Sequence, residues 1–188
     1  MIRHAAVIGL ILLGVGAGRA LADSPATSAT SAAAPIDPVF DCYSANSAWG
    51  LSYAGKTIAR DGRVWRYRER GKALPERSGE PGHGSYDAAA LRAKFAAATA
   101  AEQIDAATLA EKVALIERAA AGNITSSDTG VRDAGTSSCH AYLAAEQGKR
   151  YRDIELGSDA GVGDRRIVND APEAQGLLDW LRSVGVAK

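Results

Sequence analysis

The sequence predicts an α+β domain whose antiparallel sheet, formed by an N-terminal hairpin and C-terminal strands, carries a helical middle and a C-terminal helix packed on it. Three observations lead there. Asp61-Gly62, a strong turn dipeptide, separates Thr57-Ile58 from Val64-Trp65-Arg66-Tyr67, the pattern of a β-hairpin. An alanine-rich middle from Ser85 to Gly122 has apolar residues at helical spacing. Beyond it the chain returns to strand-like runs and ends in a segment that places Leu177, Leu178 and Leu181 on one helical face.

Taken in order, Val39–Tyr43 and Ala48–Arg60 are strand material, with Trp49, Leu51, Tyr53 and Ile58 as inward candidates, and Asp61-Gly62 is expected to form a type I′ turn. Gly71–Gly84 is rich in Gly and Pro and reads as a loop. Ser85–Ile104 is predicted helical, capped by Ser85, with Leu91, Phe95 and Ala98 on one face. A second helix follows over Asp105–Gly122. Thr108 and Glu111 have capping-box spacing, Leu109, Val113 and Ile116 make a stripe, and Gly122-Asn123 supplies a left-handed stop. The two helices are expected to pair as a hairpin. Asn123–Ser138 is polar loop; Cys139–Leu143, Tyr151–Leu156 and Arg165–Asn169 are strands. Asp170 is the candidate cap of the final helix, Pro172 stands in its first turn and Gly185 stops it.

Residues 1–22 carry the three parts of a secretory signal peptide: Arg3, the uncharged apolar run Ala5–Gly18, and Ala20-Leu21-Ala22 before Asp23. The run is shorter than the ~20 residues of a bilayer span. Residues 23–38, rich in Pro, Ser, Thr and Ala, are expected to be a flexible leader, and residues 39–188 a single domain. The predicted location is periplasmic or secreted. An oxidising compartment makes the two cysteines, Cys42 and Cys139, a disulfide. His140 follows Cys139 directly, but alternation along a strand sends the two side chains to opposite faces.

Composition narrows the function. The chain has 22 basic and 22 acidic residues, without the basic excess of a general nucleic-acid binder. Once the signal is removed, no remaining segment is long and apolar enough to span a membrane. The histidines beyond the signal, His83 and His140, lie in no ligand-spaced group, so no metal or cofactor is expected. Gly82-His83-Gly84-Ser85 superficially resembles a serine-enzyme loop, but it is not a G-x-S-x-G elbow, and capping is an adequate role for Ser85. Gly157–Asp164 lacks a Walker lysine and reads as a turn between strands; Asp159 and Asp164 are its candidate divalent-ion contacts. Asn123-Ile124-Thr125 matches a glycosylation sequon. The one charge asymmetry is Arg66, Arg68 and Arg70, which alternate along one strand and share a face opposite Trp65 and Tyr67. That face is either solvated or a site for an anionic partner.

The hairpin WGLSYAGKTIARDGRVWRYRERG, the helical middle and the terminal L-L-x-W-L pattern over Phe40–Gly185 resemble a loosely defined group of uncharacterised bacterial exported proteins. The resemblance implies an architecture and no activity. The functional expectation is an exported, disulfide-stapled, monomeric and non-catalytic domain that binds an envelope component or protein partner, with Arg66, Arg68 and Arg70 as the candidate contact residues. The alternative is a small periplasmic hydrolase with dispersed catalytic residues. N-terminal sequencing of the exported protein should begin at Asp23; a chain that retains Met1 would contradict the signal reading.

Overall fold

The computed structural model describes residues 35–48, 50–79, 84–128, 135–160 and 165–185. The predicted signal peptide, most of the predicted leader, Trp49, His83 and Asp164 lie outside these residues. The elements in chain order are β1 (Pro38–Asn46), β2 (Ser52–Ala59), β3 (Arg63–Arg70), β4 (Ser85–Asp87), α1 (Ala88–Lys94), β5 (Thr99–Gln103), α2 (Ala106–Ala114), α3 (Ile116–Ala119), β6 (Ile124–Asp128), β7 (Thr136–Ala145), β8 (Arg150–Ala160), β9 (Arg165–Asn169) and α4 (Pro172–Ser183).

The strands form one antiparallel sheet in the order β5-β3-β2-β1-β7-β8-β9-β6, with β4 also pairing with the first residues of β8. The fold class is therefore the expected one: an antiparallel α+β domain with the C-terminal helix on the sheet. Strand alternation divides the side chains between two faces. On the first face Phe40, Ile58, Val64, Ala141, Ile154 and Leu156 pack against α2, α3 and α4 through Leu109, Ile116, Leu177 and Leu181. Trp180 meets the ring of Phe40 edge-on at 5.3 Å. On the second face Tyr53, Tyr67, Tyr142 and Tyr151 pack with Tyr86 of β4 and with Leu91 and Phe95 at α1.

The N-terminal and C-terminal halves of the sheet meet where β1 pairs with β7, in the register Phe40↔Ala141, Asp41↔His140, Cys42↔Cys139. The two cysteines are thus directly opposed and form a disulfide, with Cα atoms 4.1 Å apart. It ties the first strand to the strand after the helical middle, closing a sequence separation of 97 residues.

Several local expectations are corrected. The Asp61-Gly62 turn is not type I′, which needs positive φ at both central residues. Only Gly62 has it (φ 84°), and its N–H donates to Ala59 O at 2.9 Å, so the αL glycine follows the turn instead of forming its centre. The predicted helix over Ser85–Ile104 is reduced to α1. Ser85–Asp87 pairs with β8, and Asp87, not Ser85, caps the helix by accepting from the Ala90 N–H at 2.9 Å. Beyond Phe95 no large apolar side chain extends the stripe, and Thr99–Gln103 joins the edge of β3 as an exposed strand. Tertiary pairing there overrides the helix propensity of alanine, and it breaks up the expected helical hairpin.

Asp105, not Thr108, caps α2, accepting from the Thr108 N–H at 2.9 Å. Part of the expected polar loop Asn123–Ser138 is strand: β6, polar and without alternation, is recruited by β9, and β7 begins at Thr136. Strand β8 likewise runs on through Gly157–Ala160, where a turn was expected. Gly122 is not a left-handed stop. A Cβ there would lie 2.0 Å from Asn169 Oδ1 and 2.8 Å from the Ala171 Cβ, so glycine is needed for close approach. Asp170 does not cap α4; its carboxylate accepts from the Asn123 backbone N–H at 2.7 Å and side-chain amide at 3.0 Å. The sequon asparagine is thus engaged at this joint.

Replacing both cysteines with alanine should lower stability by ~2–5 kcal/mol, because the closed loop no longer restricts the unfolded chain. Thermal melts of Cys42→Ala/Cys139→Ala, with intact masses before and after reduction of the parent, measure this. Two free thiols in the parent chain would contradict the assignment.

Candidate functional site

Chemistry-bearing side chains gather in two places, one on each face of the sheet. The second face holds a buried ionic row. Alternation along β1, β7 and β8 places Asp41, Tyr43, His140, Tyr142, Asp153 and Glu155 on the same side. Asp41 is fully buried and accepts from Tyr67 Oη at 2.5 Å and from Lys94 Nζ of α1 at 2.5 Å. The Lys94 ammonium also lies 3.8 Å from the centre of the Tyr43 ring. Asp153, equally buried, takes His140 Nδ1 at 2.8 Å on one oxygen and Arg77 Nε at 2.5 Å on the other. The ring of His140 stacks between Tyr43 and Tyr142, 5.8 and 6.3 Å away.

The electrostatics follow from this packing. Burial works to lower the pKa of His140, but the Asp153 carboxylate, its hydrogen bond and the nearby Glu155 outweigh it and raise it above 6.5. Burial works to raise that of Asp153, and His140 and Arg77 hold it below 3.8. The phenols of Tyr43, Tyr67 and Tyr142 are pushed up, chiefly by burial. With His140 protonated, three carboxylates face three cations. A histidine oriented by an aspartate is also the geometry of a general base. Nε2 is buried and has no hydrogen-bond partner among the described residues.

The first face holds an open groove of about 1090 Å³ between α4 and β3. Its floor is low because the sheet carries small side chains there: Ser44, Ala54, Ser137, Gly157 and the Cys42–Cys139 disulfide. Leu178 and Arg182 of α4 form one wall; Lys56, Arg66 and Arg68 stand at the other end. Lys56 is opposite Arg66 and Ala54 opposite Arg68 in the β2–β3 register. The Lys56 ammonium donates to Val184 O, and the Arg66 guanidinium donates to Gly185 O at 2.7 Å, so both also cap the end of α4. Burial and the Arg66 charge together lower the Lys56 pKa, with Glu102 opposing.

The residues singled out from sequence fall as follows. Arg66, Arg68 and Arg70 are exposed and lie on the groove side of β3; Arg66 and Arg68 line the groove, and Arg70 lies beyond its lining. The disulfide sits in its floor. His140 lies on the other face and outside the groove. Ser85 belongs to β4 and accepts from Arg150 at 2.6 Å. Asp159 pairs with Arg182 at 2.6 Å. Among the described residues no three His, Cys, Asp or Glu side chains gather as a metal site. Sequence reasoning missed Lys56, Lys94, Asp41, Asp153 and Arg77. Asp41 was readable as a lone charge inside the strand run VFDCY; nothing local marks the others.

No family model, curated protein or solved structure matches this chain.

The buried row predicts a stability maximum in pH. A raised folded pKa at His140 contributes stability fully below about 6.5, lost as pH rises through the folded value. A depressed one at Asp153 contributes stability above about 3.8, lost as pH falls through its folded value. Denaturant unfolding across pH should therefore decline on both sides, and His140→Gln should flatten the alkaline limb between about 6.5 and the raised value. An unchanged alkaline limb in that variant would show that His140 is not the titrating group.

Proposed function

We propose that this chain is an exported, disulfide-stapled, non-catalytic domain that binds an envelope component or protein partner through the groove on the first face of the sheet. One observation carries the reading: the groove gathers Lys56, Arg66 and Arg68 at one end, on a floor of small side chains. A solvated strand face gives no reason for such a hollow. Like charges directly opposed across two strands cost stability, and an anionic partner would remove that cost. Export, to the periplasm or beyond the cell, is supported by the signal-like sequence of residues 1–22 and by the compatibility of the disulfide with an oxidising compartment.

The hydrolase alternative would use His140 and Asp153. Its difficulty is Nε2, which is buried and has no hydrogen-bond partner among the described residues.

Replacing Arg66, Arg68 and Arg70 together with glutamine should weaken capture of the partner from envelope extract, and added salt should weaken capture by the parent in the same way. Thermal stability should move by less than ~0.5 kcal/mol at each of Arg68 and Arg70, with a further loss from Arg66, whose contact with Gly185 O at the end of α4 is removed. Unchanged, salt-independent capture would overturn the groove as the binding face.

A further inference from the structure

We propose that the occupant of the groove is an extended segment of another protein, with acidic side chains at one end and small uncharged residues along the rest. This rests on the groove being the binding face. The charge is distributed unevenly along it. Lys56 and Arg66 are directly opposed, Arg68 follows on the same side, and the Arg68 side chain makes no ion pair or hydrogen bond among the described residues. The middle, floored by Ser44, Ser137 and the disulfide, carries no charge. The far end holds Arg182 already paired with Asp159.

A uniformly anionic polymer, such as a sulfated glycan or polyphosphate, would have to set charges over the neutral floor and against the Asp159 carboxylate. A flat anionic membrane is held off the floor by the α4 wall. An inorganic anion would use one end and leave the hollow unfilled. A peptide with clustered acids satisfies all three zones: carboxylates over Lys56, Arg66 and Arg68, small residues over the floor, and a main-chain amide against the Arg182–Asp159 pair. The distance agrees. From β8 to β3 the groove crosses four strand spacings of ~4.8 Å, or ~19 Å, which ~6 extended residues span. The hydroxyls of Ser44 and Ser137, exposed and hydrogen-bonded to each other at 2.7 Å, keep one donor and their remaining lone pairs for peptide groups crossing the floor.

The test is fluorescence anisotropy with the exported chain and the labelled peptide Asp-Glu-Asp-Ser-Gly-Ser-Ala-Ser. A peptide of the same composition with its acids dispersed, inorganic phosphate, a sulfated polysaccharide and anionic phospholipid vesicles serve as comparisons. The clustered peptide should bind, and more tightly than the dispersed one. Arg68→Glu should weaken it about tenfold, the scale of one charge-assisted contact. Ser44→Trp and Ser137→Tyr, each filling the floor from an exposed position, should abolish binding, with melting curves reporting that the variants fold. Equal binding of the two peptides, indifference to Arg68→Glu, or tighter Arg68-dependent binding of phosphate, polysaccharide or vesicles would overturn the peptide occupant. If no peptide binds but Ser44→Trp still abolishes capture of the envelope partner, the peptide proposal fails and the groove reading stands. If Ser44→Trp leaves both peptide binding and capture intact, both fail.

Discussion

The pairing of β1 with β7 is the constraint on which the rest of the fold depends. It joins segments that are distant in sequence, and everything on either side of the sheet is positioned by its register. Phe40 opposite Ala141 sets the floor beneath α4, Asp41 opposite His140 sets the buried ionic row, and Cys42 opposite Cys139 allows the disulfide. A slip of β1 by one residue would exchange its faces, placing Asp41 under the helices and Cys42 among the tyrosines, away from Cys139. Non-local pairs are entropically the most expensive to close. A covalent link at that seam therefore acts where restriction of the unfolded chain counts most.

The two faces have opposite chemistry for a common reason. Burying a carboxylate is tolerable only when it is paired and hydrogen-bonded, and both Asp41 and Asp153 meet that condition twice over. Such pairs are poor evidence of net stability, since desolvation cancels much of their attraction. Their effect is to accept one arrangement: Lys94 from α1 and Arg77 from the loop after β3 each meet a buried carboxylate, and docking them elsewhere would strand a charge. The groove face follows the reverse logic. Small side chains leave volume unfilled, and cations gather at one end, offset by backbone carbonyls and the Glu102 carboxylate.

What the sequence determined by itself was what short-range physics controls. The α+β class, the hairpin strands on both sides of Asp61-Gly62, the inward positions Tyr53 and Ile58, the face of the last helix and the opposed placement of Cys139 and His140 all follow from two- and 3.6-residue periods. The alternation of Arg66, Arg68 and Arg70 was legible for the same reason. Tertiary structure alone decided which strands outside that hairpin are neighbours. That in turn made Thr99–Gln103 and Ile124–Asp128 strands, against helical propensity in one case and featureless polarity in the other. It also assembled the sites. Lys56 meets Arg66 because β2 pairs with β3, Lys94 meets Asp41 across half the domain, and Gly122 is glycine to admit Asn169, not to end a helix. Periodicity reports which way a side chain points; only the packed sheet decides what it meets.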